Sequence, residues 1–256
     1  MCTVVILRRP NHAWPVIIGA NRDEMAGRPW SPPSRHWADR PDVTAGKDDL
    51  AGGTWLGIND YGVVAGVLNR KNSLGPAPGM RSRGELPLEA LDHAEATAAA
   101  EALSHLDPAS YRPFNMVIAD CRKAYWLSSA GGEQTDLVRS DIEVREIPEG
   151  LSMTTAYDLN DLESPRMRYY LPKFEAAAAP EPESGDWSAW QALMGSRQSE
   201  PDSVHGGAMN VMTDRGFGTV SSSLMALPEP QIKAEKPVWL FASGRPDEAP
   251  FEPVIL

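Results

Sequence analysis

The sequence predicts an α+β fold in which sheet layers are flanked by helices. Runs of β-branched residues that are typical of strands lie at both ends of the chain, and segments rich in alanine, glutamate and leucine that are typical of helices lie between them. No internal repeat and no domain-length linker interrupts the 256 residues, which are enough to bury a substantial core. We therefore expect one domain over residues 1–256.

Two β-hairpins are predicted in the first part of the chain. Residues 3–7 and 16–19 are strand-like runs, and the segment RRPNHAWP between them is rich in turn formers. Residues 30–42 contain several prolines and lack periodicity, which predicts an irregular surface loop. Residues 53–58 and 63–68 predict the second hairpin, joined by the turn Asn-Asp-Tyr-Gly.

Helices and further strands are predicted in the rest of the chain. Residues 86–106 predict a helix in two pieces, and residues 164–178 predict another. Asp186 is a suitable N-cap for a short helix that carries two tryptophans and a leucine on one face. The remaining predicted strands are residues 114–119, 124–128, 141–147, 219–227 and 238–243.

Composition excludes several classes of protein. A net charge of −11 argues against a nucleic-acid partner and against adsorption to anionic lipid. No apolar window is long enough to span a bilayer, and the short first strand followed by two arginines does not resemble a signal peptide, so we expect a cytoplasmic protein with no transmembrane segment. The five histidines and two cysteines show no ligand spacing and no disulfide framework, so no metal and no cofactor are expected.

The first hairpin is expected to bring Cys2 close to the polar tetrapeptide NRDE at residues 21–24. In an antiparallel hairpin, the numbers of paired residues have a nearly constant sum. If the connecting loop is centred near His12, that sum is about 24, and Cys2 lies beside Arg22 and near Asp23. A slip of one residue would turn every side chain to the other face. The register therefore predicts proximity and leaves the facing direction open.

A cysteine at position 2 can act as a nucleophile that carries its own base. A small residue after Met1 usually permits removal of that methionine, and Cys2 would then begin the chain with a free α-amine beside its thiol. The reference pKa of such an amine is about 8 and that of a thiol is about 8.5, so the amine can accept the thiol proton. Asp23 would hold the ammonium in place, and Arg22 would hold Asp23 or bind an anionic group of the substrate.

These motifs resemble those of a known family. The opening MCTVVI, the segment GANRDE near position 20, and GGTWLGINDYGVVAGVLN at residues 52–69 are similar to the signatures of the NRDE family, also called the transport and Golgi organisation protein 2 family. That family is similar in turn to the choloylglycine hydrolase group of N-terminal nucleophile hydrolases. The resemblance implies a four-layer αββα sandwich with two mainly antiparallel sheets between helical layers, a cysteine nucleophile exposed by removal of methionine, and amide substrates.

The resemblance also implies roles for individual residues. Cys2 matches the nucleophile, Asp23 matches the aspartate that positions the amine and the thiol, and Asn69 matches the asparagine whose backbone N–H lines the oxyanion hole. This chain departs from the hydrolases at Ala20, where they have an arginine, and at Thr155, which stands roughly where they have a second oxyanion asparagine. The residues expected to contact substrate are Asn21, Arg22, Arg70, Arg81 and Thr155.

Two functions remain open on this evidence. The first is hydrolysis of a non-peptide C–N (amide) bond by Cys2, with its own α-amine as the base. The alternative is a non-catalytic protein on the same scaffold that binds or traffics haem or an acyl-type ligand, with His36 or His205 as a candidate haem ligand. The basic segment that contains Arg70 and Arg81 either recognises an anionic group or is a solvated loop. The expected partner is a small-molecule amide or acyl substrate, or haem; the oligomeric state does not follow from the sequence.

Overall fold

The chain folds into thirteen strands and four α-helices over the residues that the computed structural model describes, which are 2–131, 141–201, 203, 207–232 and 235–256. The strands are β1 Thr3–Arg8, β2 Val16–Met25, β3 Trp30–Ser34, β4 Val43–Asp48, β5 Leu56–Asn59, β6 Val64–Asn69, β7 Phe114–Ala119, β8 Ala124–Ser129, β9 Glu143–Glu146, β10 Gly150–Thr154, β11 Phe217–Leu227, β12 Val238–Ala242 and β13 Phe251–Pro253. The helices are α1 Glu85–Leu91, α2 Ala96–Ser104, α3 Pro165–Ala176 and α4 Ser188–Met194. Within these residues, no helix combines the length and the apolar character needed to cross a bilayer.

The chain divides into two compact units. One unit contains Met1–Arg28 and Pro148–Leu256, and the other contains Pro29–Ile147. Each unit has one antiparallel sheet and two of the helices. The expected α+β class with two antiparallel sheets and helices is therefore confirmed, while the assignment of a single domain stays a prediction.

The first unit contains a six-stranded sheet in the order β10-β1-β2-β11-β12-β13. Its apolar core lies between one face of this sheet and helices α3 and α4. In α3, Met167, Tyr170 and Phe174 recur at helical spacing and are all buried in that core. Strands β1 and β2 pair locally as a hairpin, whereas β10 and β11 join them from distant parts of the chain.

The second unit contains a seven-stranded sheet in the order β3-β4-β5-β6-β7-β8-β9. Every strand in it is hydrogen-bonded to its neighbour in sequence, so this sheet is an antiparallel meander. Helices α1 and α2 pack their alanine and leucine side chains into the core of this unit. The helix predicted in two pieces is confirmed here, because α1 and α2 are separated by a short break.

Four details differ from the sequence-based expectation. Residues 30–42, expected to be irregular, contain the short edge strand β3, which tolerates prolines because one side of an edge strand needs no ladder bonds. Strands β4, β10 and β13 were not predicted. The short helix begins one residue later than expected, with Trp187 at the N-cap and the Asp186 carboxylate accepting from Ser188 N at 3.0 Å. The tetrapeptide at residues 21–24 lies inside β2 and does not follow it.

Strand β11 carries one irregularity in its pairing with β2. Thr219 pairs with Asp23 and Ser221 pairs with Arg22, so one additional residue of β11 stands between two consecutive partners on β2. This is the geometry of a β-bulge, which inserts one residue into one strand of a pair. The bulge places the Thr219 side chain next to that of Asp23.

Gly53 is a close-packed position that the second unit cannot fill with a side chain. A Cβ at Gly53 would lie 2.4 Å from the carbonyl carbon of Gly84, the N-cap residue of α1. We expect Gly53→Ala to lower the free energy of unfolding by about 1–3 kcal/mol, because backbone and not a flexible side chain must move. Urea denaturation followed by circular dichroism measures this change.

Gly27→Ala is the control for that variant. A Cβ at Gly27 meets no atom within 4 Å, so the change in its free energy of unfolding should stay within about 0.5 kcal/mol. Equal losses of stability in the two alanine variants would contradict the packing interpretation.

Candidate functional site

The β1–β2 hairpin sets the position of Cys2. Thr3 pairs with Asn21 and Arg8 pairs with Val16, so paired residue numbers sum to 24 throughout the hairpin. This register is the one expected from the sequence. Cys2 directly precedes the first paired residue and therefore lies at the level of Arg22 on the neighbouring strand.

The Cys2 side chain reaches the segment of β2 that the register indicates. Its Sγ lies 3.7 Å from the backbone carbonyl oxygen of Asp23, a distance at which a thiol donates a weak hydrogen bond. Cys2 is half-buried, and it is not joined by a disulfide to the second cysteine, Cys121. Cys2 is thus partly enclosed by the chain and carries a free thiol.

The pleat of β2 separates the polar tetrapeptide into two faces. Asn21 and Asp23 point toward the face that packs against the helices, where Asn21 Nδ2 donates to the carbonyls of Met194 and Met209 at 3.0 Å each. Arg22 stands between them and is directed to the opposite face by the two-residue period of a strand. All three side chains are buried. These polar residues are therefore part of the packed interior and not a surface turn.

The Asp23 carboxylate is completely enclosed and has a partner for each oxygen. Oδ2 accepts from Arg166 Nη1 at 3.1 Å, and Oδ1 accepts from the Thr219 hydroxyl at 2.6 Å. The exposed fractions of the Arg166 and Asp23 side chains are 2% and 0%. The same Arg166 nitrogen also donates to the hydroxyl of Thr3. One guanidinium therefore joins both strands of the hairpin beside Cys2.

Helix α3 holds Arg166 in place because its first turn is firmly fixed. Ser164 is the N-cap, and its hydroxyl accepts from Met167 N at 3.4 Å, while Pro165 occupies the first helical position. The Thr155 hydroxyl lies 3.2 Å from the Ser164 hydroxyl. The apolar side chains farther along α3 anchor the helix in the core, so the guanidinium is presented from a rigid element.

The surroundings of Cys2 favour its protonated form. Burial raises the pKa of the Cys2 thiol, and the negative charge of Asp23 raises this pKa further. The positive charge of Arg22 acts on the same pKa in the opposite direction. A thiol whose pKa is raised is mostly protonated at neutral pH, so attack by this sulfur requires a base that removes its proton.

The other residues expected in the site have varied surroundings. Asn69 is the last residue of β6, half-buried and paired with Phe114, and it belongs to the second unit. Thr155 is buried and its hydroxyl meets Ser164 at the start of α3. Arg22 and Asn21 lie in β2 as described. Contact with substrate stays a prediction for each of them.

The two arginines of the basic segment have acceptors within their own unit. Arg70 Nη1 donates to Asn115 Oδ1 and Ser128 Oγ at 2.6 Å each. Arg81 donates to the carboxylates of Glu85 and Glu89, which neutralise its charge. An anionic ligand at Arg81 would have to displace these carboxylates. Both arginines are therefore paired within the chain, and the role of this segment in substrate recognition stays a prediction.

Of the two histidines expected as candidate haem ligands, the structure describes His36. His36 is half-buried, and its Nε2 is 2.8 Å from the carbonyl oxygen of Pro32. His205 lies outside the described residues. In the part of the chain that is described, no group of three His, Cys, Asp or Glu side chains is arranged to hold a metal ion.

Sequence reasoning missed Arg166 and Thr219. One signal for Arg166 was available: an arginine in the first turn of a predicted helix opposes the helix dipole, which disfavours cations at that end, and so needs a compensating anion. Thr219 had no such signal, because the bulge that places it beside Asp23 depends on pairing between residues almost two hundred positions apart.

Alanine variants of Asp23 and its neighbour Glu24 test how much the buried ion pair contributes to stability. Asp23→Ala leaves the Arg166 charge buried without a carboxylate, which should lower the free energy of unfolding by about 3–5 kcal/mol. Glu24 is partly exposed and lies 3.9 Å from Arg28, so Glu24→Ala should cost only about 0–1 kcal/mol. Urea unfolding of both variants measures the difference, and similar losses would contradict the assignment of the pair as buried and structural.

Known structures share this arrangement of sheets and helices. The N-acylethanolamine-hydrolyzing acid amidase ortholog of Caenorhabditis elegans superposes with a TM-score of 0.52 and 14% sequence identity, and the match covers 100% of both chains. The penicillin V acylase of Agrobacterium tumefaciens gives a TM-score of 0.52 and 11% identity, covering 94% of this chain and 83% of the acylase. Both are N-terminal nucleophile hydrolases, and at these identities the likeness shows the fold.

Sequence comparison identifies the family. The mouse Transport and Golgi organization 2 homolog is 35% identical over 117 residues, which are 43% of this chain and 40% of the mouse protein. The alignment thus spans less than half the length of that relative. The family model described as Transport and Golgi organisation 2 matches residues 1–195, which is most of the chain. The resemblance inferred from the sequence motifs is confirmed, and the chain belongs to the Transport and Golgi organisation 2 family.

Proposed function

We propose that this protein is an N-terminal nucleophile hydrolase of the cysteine type that cleaves a non-peptide C–N bond in a small-molecule amide. One observation carries the proposal: the Cys2 sulfur lies 3.7 Å from Asp23 O, at the amino-terminal end of a hairpin. The fold is that of two amidohydrolases, which supports the same reading. A cytoplasmic location and a small-molecule partner are part of the proposal.

The first half of the proposed reaction is acyl transfer to sulfur. Removal of Met1 frees the α-amine of Cys2, which takes the thiol proton as Sγ attacks the amide carbonyl. A new S–C bond forms and the carbonyl electrons move to oxygen. The oxyanion then reforms the carbonyl, the C–N bond breaks, and the leaving amine takes the proton from the α-ammonium. The product held on the enzyme is a thioester.

The second half is hydrolysis of that thioester. Water attacks the thioester carbonyl and gives a proton to the α-amine, the S–C bond breaks, and the proton returns to sulfur. The products are a carboxylic acid and the regenerated thiol. In both halves Asp23 orients the ammonium, and Asn69 contributes a backbone N–H to the oxyanion in the role that its motif implies.

The raised pKa of Cys2 is consistent with a mechanism in which the α-amine acts as the base and Asp23 positions it. A buried thiol beside a carboxylate is a poor nucleophile without a base, and an amine with a pKa of about 8 can supply that base at the same residue. In this proposal the carboxylate of Asp23 has a second role besides its effect on the pKa of the thiol, which is to position the ammonium. Its two fixed hydrogen bonds suit a positioning role.

The alternative is a non-catalytic protein that binds haem or an acyl-type ligand on the same scaffold. Ala20 in place of an arginine and the engagement of Arg81 by two glutamates are the observations that favour it. The two readings differ in one respect that is simple to test, which is whether the Cys2 sulfur is required for release of an amine.

Cys2→Ala should abolish release of amine from a panel of N-acyl amides, because it removes the attacking atom. Cys121→Ala is the matched control and should retain the wild-type rate, since Cys121 lies in the turn between β7 and β8 of the other unit. Intact-mass spectrometry of the wild type should show that Met1 is absent. A retained Met1, or the same background rate in wild type and Cys2→Ala, would reject hydrolysis and leave the binding reading.

Asp23→Asn should have opposite effects on thiol reactivity and on turnover. Burial and the Asp23 charge both raise the pKa of Cys2, so loss of that charge lowers the pKa and moves the midpoint of iodoacetamide labelling to lower pH. A drop of one pH unit gives about tenfold faster labelling below both midpoints. Amide turnover should fall by about 10²-fold or more because the ammonium loses its orienting group. Glu24→Gln should change neither quantity, and a parallel fall of both in Asp23→Asn would indicate loss of structure instead.

A further inference from the structure

We infer that Arg166 is a positioning residue for Cys2: it acts through Asp23 and Thr3 to fix the two backbone segments between which the sulfur lies. The inference rests on the proposed role of Cys2 as nucleophile and adds to it a residue from a distant part of the chain. Arg166 itself is not proposed to touch substrate or the reacting atoms.

The contacts of Arg166 converge on the two residues that define the place of the thiol. Its Nη1 donates to Asp23 Oδ2 at 3.1 Å and to the Thr3 hydroxyl. Thr3 is the residue that follows Cys2, and Asp23 provides the carbonyl that Sγ meets at 3.7 Å. A single nitrogen of Arg166 thus bonds to one side chain of β1 and to one side chain of β2, both next to Cys2 or its contact.

Arg166 acts from the opposite side of the strand to the thiol. Asp23 presents its carboxylate to helix α3 and its main-chain carbonyl to Sγ. A shift of the carboxylate would therefore move the carbonyl with it. The Thr219 hydroxyl holds the second carboxylate oxygen at 2.6 Å, so Asp23 is constrained from two directions.

The helix that carries Arg166 is a suitable anchor. Its first turn is capped by Ser164 and its apolar side chains Met167, Tyr170 and Phe174 lie in the core against the sheet. A buried arginine on such a helix has little freedom to change rotamer. The position of Asp23 is thereby linked to the packing of the whole unit.

The charges around the thiol give this inference a measurable consequence. The charged side chains that act on the pKa of Cys2 are the Asp23 carboxylate and the Arg22 guanidinium, and Arg166 offsets the first of them through their ion pair. If Arg166 is removed, the negative charge of Asp23 is no longer compensated. Formation of the thiolate should then become less favourable.

The test compares iodoacetamide labelling of Cys2 against pH in the wild type, Arg166→Gln, Arg166→Lys and Arg168→Gln, with labelled peptides quantified by mass spectrometry. Arg166→Gln should move the labelling midpoint up by about one pH unit, which is about tenfold slower labelling at a fixed lower pH. Arg166→Lys, which keeps the charge but replaces the planar guanidinium with a shorter ammonium side chain, should lie between it and the wild type. Cys121 in each sample provides an internal reference.

Arg168→Gln is the matched control on the same helix. Arg168 is 48% exposed and pairs with Glu200 at 2.7 Å, so its loss should leave the midpoint of Cys2 unchanged. A folded Arg166→Gln variant with the wild-type midpoint would overturn the inference, because a residue that served stability alone would not move this readout.

A double variant keeps the test decisive if Arg166→Gln does not fold. Asp23→Asn with Arg166→Gln lacks both charges of the buried pair, and its midpoint should equal that of Asp23→Asn alone, since Arg166 changes the pKa of the thiol by offsetting the Asp23 charge and Thr3 carries no charge. A further shift of about one pH unit would show direct action of Arg166 and overturn the inference. Iodoacetamide labelling does not depend on amide turnover. Failure of the hydrolase proposal would be seen in a different measurement, as equal rates of amine release in the wild type and Cys2→Ala.

Discussion

The buried ion pair between Asp23 and Arg166 is the interaction on which the amino-terminal site depends. Enclosing two charges is costly, and such pairs often contribute less net stability than apolar packing of the same volume. What the pair supplies is a fixed relationship between elements that are far apart in sequence. Through the hydroxyls of Thr3 and Thr219, it joins β1, β2, β11 and α3 at one point. A shift of β2 relative to α3 would leave a buried charge without its partner.

The local parts of the fold were predictable because they are encoded by short-range patterns. The register of the first hairpin follows from the position of its turn formers, and the meander of the second unit joins strands that are neighbours in sequence. Strands β10 and β11 flank that hairpin from positions more than a hundred residues away. These two pairings depend on tertiary packing, which no local pattern carries, so β10 was missed and the pairing of β11 with β2 was not foreseen.

The candidate site also has one part that local sequence patterns predict and another part that depends on tertiary packing. The proximity of Cys2 to the segment of Asp23 could be derived from one hairpin and a turn. The partners of the Asp23 carboxylate could not, because Arg166 comes from a helix whose place against the sheet is set by the core. The tetrapeptide at residues 21–24 lies within β2 instead of after a strand. Its first three residues are buried, and partners outside β2 bond the side chains of Asn21 and Asp23.

In the proposed hydrolase, the surroundings of the thiol would keep Cys2 stable until a substrate binds. Burial beside a carboxylate keeps Cys2 as a thiol, and oxidants attack the thiolate far more readily than the thiol. Reactivity then depends on a base being present and correctly placed, and the sulfur is protected until that condition is met. A low intrinsic acidity is therefore compatible with a nucleophilic role.

The irregularity in β11 has a consequence for the chemistry beside Asp23. In an uninterrupted ladder continued from Ser221 and Arg22, the residue opposite Asp23 would be Val220, and an isopropyl group would face the carboxylate. Because of the extra residue in β11, Thr219 and not Val220 stands opposite Asp23, and a hydroxyl faces the carboxylate. The bulge thus determines which side chain bonds to the Asp23 carboxylate, and a relative without this bulge would be compared at the wrong residue if it were matched to β11 by fixed spacing.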